Sequence, residues 1–393
     1  MKTDTTNNNA KHTQIYDRLY ASIIAGDYLP DNKIPTEQEL SRHFGVSRPT
    51  VGKALQRLVK RGIIERRQGS GTYVKPNINN QKDSCSVGVV MPRVSFKSSQ
   101  FGNMSSLFDN VLAEMSHVAT NRDCYVVYNN LIAQTNQELV KNTIKICDSL
   151  IERNVDGVLL FPLPILEDNQ NVNIEIAEKF KNAGIAVALL DRDIYEGPKR
   201  SKYDLVSSYH TDAGYEVTEH LIETGRERIL FLSDKIRCSS TKDKITGYKN
   251  AVKQLSSKEA CKVFKFEANP LSDIEHTFKK ENIIEVVQEH EPDALVCMHD
   301  RMAAEVIQII RKDLKMKVPE DISVVGFDDE SFAAFMSVPL TTMRQPTIQI
   351  AENAIETLLS RINNPDQPPK TILISTQLIV RKSCGGLRNI PPQ

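Results

Sequence analysis

The chain has 393 residues, 40% hydrophobic and 25% charged, with 50 basic and 50 acidic side chains. That is enough for two or three folding units of roughly 100–200 residues with real apolar cores. The zero net charge, taken alone, speaks against a nucleic-acid partner, and no apolar run approaches the ~20 residues of a membrane span. In chain order, residues 1–12 are polar and Asn-rich and read as disordered. From Thr13 to Ala25, Ile15, Leu19, Ile23 and Ile24 recur at helical spacing, and Gly26 and Pro30 end that helix. Thr36 followed by Glu39 is a capping box, so a second helix is expected from there to about Phe44, where Gly45 breaks it. Ser47 as N-cap and Pro49 in the first turn open a third helix to about Arg61, stopped by Gly62. Ile63–Arg67, a Gln68-Gly69-Ser70-Gly71 turn and Thr72–Val74 form a β-hairpin.

Residues 76–84 are polar and aperiodic and read as a linker. Beyond them, short apolar β-branched runs alternate with amphipathic stretches. The expected strands are Val87–Met91, Tyr125–Tyr128, Gly157–Phe161, Ala186–Leu190, Ile229–Leu232, Ala294–Met298 and Val324–Phe327. The expected helices lie near 105–121, 136–153, 174–183, 212–224, 242–255, 276–289 and 301–314. Strands apolar on both faces and separated by helices imply βαβ units and buried parallel sheets. So many strands in about 300 residues divide most naturally into two sheets with a cleft between them.

Charge is local. Met1 to Pro76 carries 13 Lys+Arg against 7 Asp+Glu, so this segment is +6 and the remainder −6. A basic end on an acidic body is the asymmetry that a DNA-binding head makes. Helix–turn–helix followed by a hairpin is a winged arrangement whose second paired helix enters the major groove, N-terminal end first. That end carries Ser47, Arg48, Pro49 and Thr50. Arg48 suits bidentate contact with guanine, and Thr50 suits a base edge or a phosphate. In the wing, Gln68, Gly69 and Gly71 bring backbone close to the adjacent minor groove. The competing reading is a small helical subdomain for protein contacts; a Ser-Arg-Pro-Thr tetrapeptide alone does not exclude it, whereas the whole assembly argues strongly against it.

Residues 13–75 resemble the GntR-family DNA-binding domain. The matching stretches are Gly26–Pro30, Ile34–Leu40, Phe44–Val51, Ala54-Leu55, Leu58 and Gly69–Val74. The resemblance implies that Arg48, Thr50, Gln38 and Gly69 contact DNA, with Thr36, Ser47, Pro49, Lys53 and Gln68 beside them. It also marks one departure: the family usually has an arginine after Thr50-Val51, where this chain has Gly52 followed by Lys53. Glycine there costs the helix about 1 kcal/mol relative to alanine.

Residues 85–381 resemble the effector domain of the LacI/GalR repressors, which has the two-lobed fold of periplasmic sugar-binding proteins. The residues that carry this are Val87–Pro92, Val155–Phe161, Leu189–Arg192, Gly247-Tyr248, His299–Ala304, Pro319–Asp329 and Thr341–Pro346. The combination with a GntR head resembles arabinose-responsive repressors. The fold class expected is therefore α/β: a winged helix–turn–helix at 13–75, a linker at 76–84, and a two-lobed periplasmic-binding-protein-like domain with parallel sheets at 85–385. Lobe crossovers are expected near 191–194, 328–331 and 343–346.

The chemistry agrees with that resemblance. Asp191-Arg192, Asp300 and Asp328 fall at the carboxyl ends of predicted strands, where open α/β sheets bind ligands. Carboxylates and cationic groups satisfy sugar hydroxyls, and an aromatic face covers the apolar side. Lys244 aligns where the family commonly places a ligand-gripping arginine, and a lysine offers a point charge instead of a fork. Phe327 beside Asp328 and Phe101 in the loop after the first strand are further effector candidates. The competing reading for each strand-end aspartate is a helix cap, and Asp328-Asp329 also suit a structural role between lobes.

Enzyme signatures are missing: no G-x-G-x-x-G follows a strand, and no P-loop, G-x-S-x-G or H-E-x-x-H occurs. The seven cysteines (Cys85, Cys124, Cys147, Cys238, Cys261, Cys297 and Cys384) show no C-x-x-C and read as small buried hydrophobes in a reduced compartment. The polar start lacks the apolar segment of a signal peptide. The expectation is a cytoplasmic homodimer without catalytic group, metal or cofactor. It binds pseudo-palindromic operator DNA and is released by a small effector, a monosaccharide by resemblance. A purine-responsive repressor, an activator and a sugar-modifying enzyme with a regulatory head are the alternatives.

Overall fold

The computed structural model describes residues 6–60, 62–76, 85–91, 93–94, 107–129, 131–133, 135–164, 171–195, 197, 199–235, 237–255, 262–267 and 278–386. The chain divides into two compact units, Met1–Asp83 and Ser84–Gln393.

The first unit contains α1 (Thr6–Ile24), α2 (Glu37–Phe44), α3 (Arg48–Lys60) and a hairpin of β1 (Ile64–Arg67) and β2 (Gly71–Val74). Ile15, Leu19 and Ile23 of α1 pack with Val51, Leu55 and Leu58 of α3 in one core. The helix begins at Thr6, inside the segment that reads as disordered. Once the packed stretch from Ile15 nucleates the helix, each further residue gains one hydrogen bond for the one residue fixed, a better exchange than nucleation offers. α2 starts at the expected capping box and ends at Gly45. The hairpin is antiparallel, with Glu65 opposite Tyr73 and Arg66 opposite Thr72.

The second unit runs β3 (Cys85–Val90), β4 (Arg93–Val94), α4 (Leu107–Thr120), β5 (Cys124–Tyr128), β6 (Ile132–Ala133), α5 (Asn136–Glu152), β7 (Gly157–Leu160), α6 (Val172–Asn182), β8 (Ala186–Leu190) and β9 (Asp204–Ser208). It continues with α7 (His210–Glu223), β10 (Ile229–Asp234), α8 (Ser239–Leu255), β11 (Lys262–Phe266), α9 (Lys280–His290), β12 (Ala294–Cys297), α10 (Asp300–Lys312), β13 (Ser323–Asp328) and β14 (Thr341–Arg344). α11 (Thr347–Asn363), β15 (Thr371–Ile374), β16 (Gln377–Ile379) and a short 3₁₀ turn at Lys382–Cys384 close it.

Two six-stranded sheets result, ordered β15-β9-β8-β7-β3-β5 and β11-β10-β12-β13-β14-β16. The first is parallel throughout, and the second is parallel except where β16 joins β14. The first sheet is apolar on both faces: Val87 and Val89 pack under α4 and α11, while Val90, Val158 and Leu160 pack under α5 and α6. This accounts for strands that read as continuous apolar runs instead of alternating ones.

The chain passes between lobes at three places: β9 to α7, β14 to α11 and β15 to β16. The expected crossover near 343–346 is therefore present, whereas those near 191–194 and 328–331 are not. At those two points Asp191 (φ 63°), Asp328 (φ 105°) and Asp329 (φ 51°) take left-handed conformations. The chain turns there and returns to its own sheet, β8 to β9 and β13 to β14. The strands β4, β6, β9, β11, β14, β15 and β16 and the helix α11 were not among the expected elements.

Within the second lobe, α7 and α8 lie backbone against backbone. A Cβ on Gly214 would collide with the Lys244 carbonyl, and one on Gly247 with the Thr211 carbonyl. Glycine is required at both points of closest approach. The packing fixes α8, and hence Lys244, relative to the start of α7. Among the described residues, no helix is long and apolar enough to cross a membrane.

Candidate functional site

In the first unit, the N-terminal end of α3 is built by Ser47, whose hydroxyl pairs with Thr50 Oγ1 at 2.7 Å. Its carbonyl receives the Thr50 and Val51 amides. Apolar residues at helical spacing, Val51, Ala54, Leu55 and Leu58, face the core. The opposite face is left to Arg48, Pro49, Lys53 and Gln56, all exposed. Arg48 thus stands at the helix start with its guanidinium open to a partner. Thr50 is corrected: it is only 4% exposed and engaged with Ser47, so it serves the helix start instead of presenting a hydroxyl outward. Thr36 is likewise engaged. Its hydroxyl donates to Glu39 Oε2 at 2.8 Å and receives the Glu39 amide at 3.3 Å. The Thr36 amide and then its hydroxyl hold the Glu39 carboxyl below the usual range.

Gln38, Gln68 and Gly69 are exposed, and Gly69 has a positive φ of 73° at the wing tip with open space around it. Two residues of this unit escaped the sequence reading. Glu37 Oε1 receives a hydrogen bond from Arg66 Nη2 of the wing at 2.8 Å. The same oxygen lies 3.6 Å from where a Gly52 side chain would begin. Only the bare glycine in an otherwise well-formed helix hinted at this.

In the second unit, the polar groups gather where the carboxyl ends of the two sheets face each other. Asp191, after β8, accepts from Arg192 Nε at 3.1 Å and faces His210 Nε2 at 3.0 Å. Burial alone would raise the Asp191 carboxyl; the charge and hydrogen bond of His210, with Arg192 and Lys244, hold it well below the usual range instead. The Arg192 guanidinium lies 4.6 Å over the Phe161 ring. From the other lobe, Lys244 Nζ donates to the Met298 carbonyl at 3.1 Å. It sits 4.5 Å above the Phe327 ring and 3.9 Å from Asp328 Oδ1. Asp328 Oδ1 also receives Gln345 Nε2 at 2.7 Å, and Gln345 Oε1 receives Ser208 Oγ at 2.8 Å. Asp193 N to Ser239 Oγ, 2.9 Å, adds a further bridge between lobes.

The structure therefore brings Asp191, Arg192, Lys244, Phe327 and Asp328 to one seam. Phe327 is 2% exposed and serves as the platform under Lys244. Asp300 is corrected: it is fully buried and turned into the second lobe. It receives Thr342 Oγ1 at 2.6 Å and the Glu330 amide at 2.8 Å, against a Gly326 that leaves no room for a side chain. Burial, and then the neighbouring Asp328, raise its carboxyl well above the usual range. Phe101 lies outside the described residues.

His299 caps α10, its Nδ1 receiving the Met302 amide at 3.0 Å. Burial is the largest influence and pushes the imidazole down to about 4, with Asp328 opposing and Lys244 assisting. The ring is therefore neutral near pH 7 with its proton on Nε2. His210, Ser208 and Gln345 were not singled out from the sequence. Gln345 lay in the recognised Thr341–Pro346 run, but Ser208 ends and His210 follows a strand, β9, whose buried Asp204, Ser207 and Ser208 mask its apolar pattern. Asp329, by contrast, is clamped by Arg344 at 2.6 Å and Arg381 at 2.7 Å and is structural.

Residues 11–74 match the bacterial regulatory proteins of the gntR family, and residues 218–384 match the periplasmic binding protein-like domain. Over 377 residues the chain is 27% identical to an arabinose metabolism transcriptional repressor of Geobacillus stearothermophilus, spanning 95% of this chain and 97% of that protein. It is 28% identical over 282 residues to the HTH-type transcriptional repressor PurR of Aliivibrio salmonicida, spanning 70% of this chain and 78% of that one. A solved complex of the transcriptional regulator CelR with cellobiose matches with a TM-score of 0.59 at 19% identity, over 89% of this chain and 100% of that chain. That last likeness bears on the fold alone.

Proposed function

We propose that this chain, which joins a gntR-family DNA-binding head to a periplasmic-binding-protein-like body, represses carbohydrate-utilisation genes and is released from its operator by a small sugar. The observation that carries the reading is the seam itself, where Asp191, Arg192, His210, Lys244, Asp328 and Gln345 converge from both lobes. Its cations and carboxylates are matched pair by pair, which suits the hydroxyls of an uncharged polyol better than a phosphate needing net positive charge. The repressor relatives support the regulatory half of the reading. The arabinose name of one of them favours a sugar.

The PurR likeness favours a purine as the second reading. The purine ranks second because the PurR likeness spans less of this chain than the arabinose-repressor likeness, 70% against 95%. A sugar that binds one arrangement of the lobes better than the other shifts their equilibrium. Through the 76–84 linker it changes the grip of two heads in a homodimer on a pseudo-palindrome. The place of action is the cytoplasm, where the operator is.

The test is operator binding by the purified full chain against a panel of pentoses, hexoses, cellobiose and purines. One sugar should weaken operator affinity by roughly 5–150-fold, the usual range of allosteric coupling. A panel in which no sugar alters affinity sinks the inducer reading, and a purine alone acting establishes the second. Lys244→Ala should keep operator affinity and lose the response. Turnover of a sugar by the purified chain would favour an enzyme instead.

A further inference from the structure

The recognition helix α3 has a gap in its exposed face. Arg48 and Pro49 stand at its start and Lys53 and Gln56 further along, with Gly52 between them. The gap is not crowded: a Cβ there would meet nothing closer than Glu37 Oε1 at 3.6 Å and Oε2 at 3.8 Å, both ordinary contacts. Glu37, in the first turn of α2, points its carboxylate at this gap. Arg66 reaches the same Oε1 atom from the wing strand β1, its Nη2 at 2.8 Å. One carboxylate therefore separates the Arg66 guanidinium from the empty position on the helix. Arg66 and Glu37 keep side-chain exposures of 50% and 41%. An ion pair that open contributes about 0–1 kcal/mol to folding, so stability does not account for it.

We propose that Arg66, delivered by the wing and oriented by Glu37, is a specificity-determining residue that reads a guanine at the position facing Gly52. A guanidinium presents five N–H donors. Pairing with one carboxylate oxygen leaves the rest of the fork for guanine O6 and N7, the commonest specific arginine contact in the major groove. The neighbouring Arg67 is not available in this way. Asp31 at 3.1 Å and Glu65 at 2.6 Å hold it, and its guanidinium lies 4.5 Å over the Tyr73 ring. The inference rests on the DNA-binding reading of the head and adds the residue and base that the helix itself does not supply.

The experiment selects operators from a random-sequence duplex library with the full chain, then measures affinity for single-base-pair variants at several salt concentrations. Arg66→Ala should lose its preference at one G·C pair per half-site, by roughly 5–150-fold, while other positions keep theirs. Glu37→Gln should weaken the same preference, and Arg66→Lys should not restore it. The double variant Gly52→Arg/Arg66→Ala should recover it, because an arginine at 52 meets the same carboxylate from the other side. A uniform loss across all sequences with a salt slope smaller by about one identifies a phosphate contact and overturns the proposal. Unchanged selectivity in Arg66→Ala overturns it too. Arg48→Ala separates the two levels of inference: if it loses all sequence preference while Arg66→Ala loses none, the DNA-reading helix stands and only the Arg66 assignment falls.

Discussion

His210 Nε2 lies 3.0 Å from Asp191 Oδ1, and the two residues come from opposite lobes. The pair ties the first turn of α7 to the left-handed turn after β8, so any ligand that enters the seam must accommodate or displace this bond. Asp191→Asn keeps the shape and an acceptor oxygen for His210 but removes the charge. Turning a charged hydrogen bond into a neutral one corresponds to about 1 kcal/mol, and urea denaturation should show the body weakened by that order. The sign with pH follows from the lowered carboxyl. The contribution is fully present above the ordinary aspartate value of 3.8 and fades as pH falls through the still lower folded value. A variant as stable as the native chain at pH 7 would contradict the pairing.

His299 has the opposite chemistry and the same direction of pH dependence. Its imidazole titrates at about 4 in the fold against 6.5 when unfolded, so the unfolded chain binds the extra proton between those values. Stability should therefore fall as pH drops from 6.5 to 4 and level off below. Asparagine keeps a capping oxygen for the Met302 amide but cannot titrate. Denaturation midpoints of His299→Asn should lack that part of the slope, and an unaltered slope would assign it to other groups.

Gly247 meets the Thr211 carbonyl without room for a Cβ. Gly247→Ala should separate α7 from α8, destabilise the second lobe by about 1–3 kcal/mol and move Lys244 off Met298. Thermal unfolding reads the first effect and loss of sugar response the second. Full stability together with full response would show that the helices part at no cost.

On the head, Arg48 and Lys53 should separate cleanly. Arg48→Ala is expected to lose the base preference read by the start of α3, whereas Lys53→Ala should lower affinity evenly across sequences and reduce the salt slope by about one. Equilibrium binding to matched and scrambled duplexes distinguishes them. Retained preference in Arg48→Ala would remove that residue from base reading.

The legibility of the chain differed from element to element for physical reasons. The capping box at Thr36–Glu39 is a local interaction, complete within three residues, and is present as read; at the start of α3 Ser47 instead pairs with the Thr50 hydroxyl, also within three residues. The buried run Ala294–Cys297 was legible because both faces of its strand are covered. Strand β9 was not, because Asp204 is fully buried yet paired with Arg361 of α11, 157 residues away, at 2.8 and 3.0 Å. Helix α11 was legible in principle: Ile350, Ala351, Ala354, Ile355 and Leu358 are periodic and buried. The same distinction divided the candidate site. Asp191, Asp300 and Asp328 are equivalent as strand-end aspartates, yet two face the seam and one is buried against Thr342.

The sequence by itself determined the winged head, the alternation of strands and helices and the two-part organisation, which follow from local hydrogen bonding and the periodicity of apolar side chains. It placed Asp191, Arg192 and Asp328 at strand ends, whereas Lys244 entered only through the resemblance to the LacI/GalR effector domain. Only the tertiary structure decided where the chain crosses between lobes, that Thr50 and Asp300 turn inward, that His210 and Gln345 join the seam, and that Arg66 pairs with the Glu37 carboxylate that faces Gly52. Those outcomes depend on contacts between residues far apart in the chain, whose directions are set by backbone turns and close helix packing rather than by any nearby pattern.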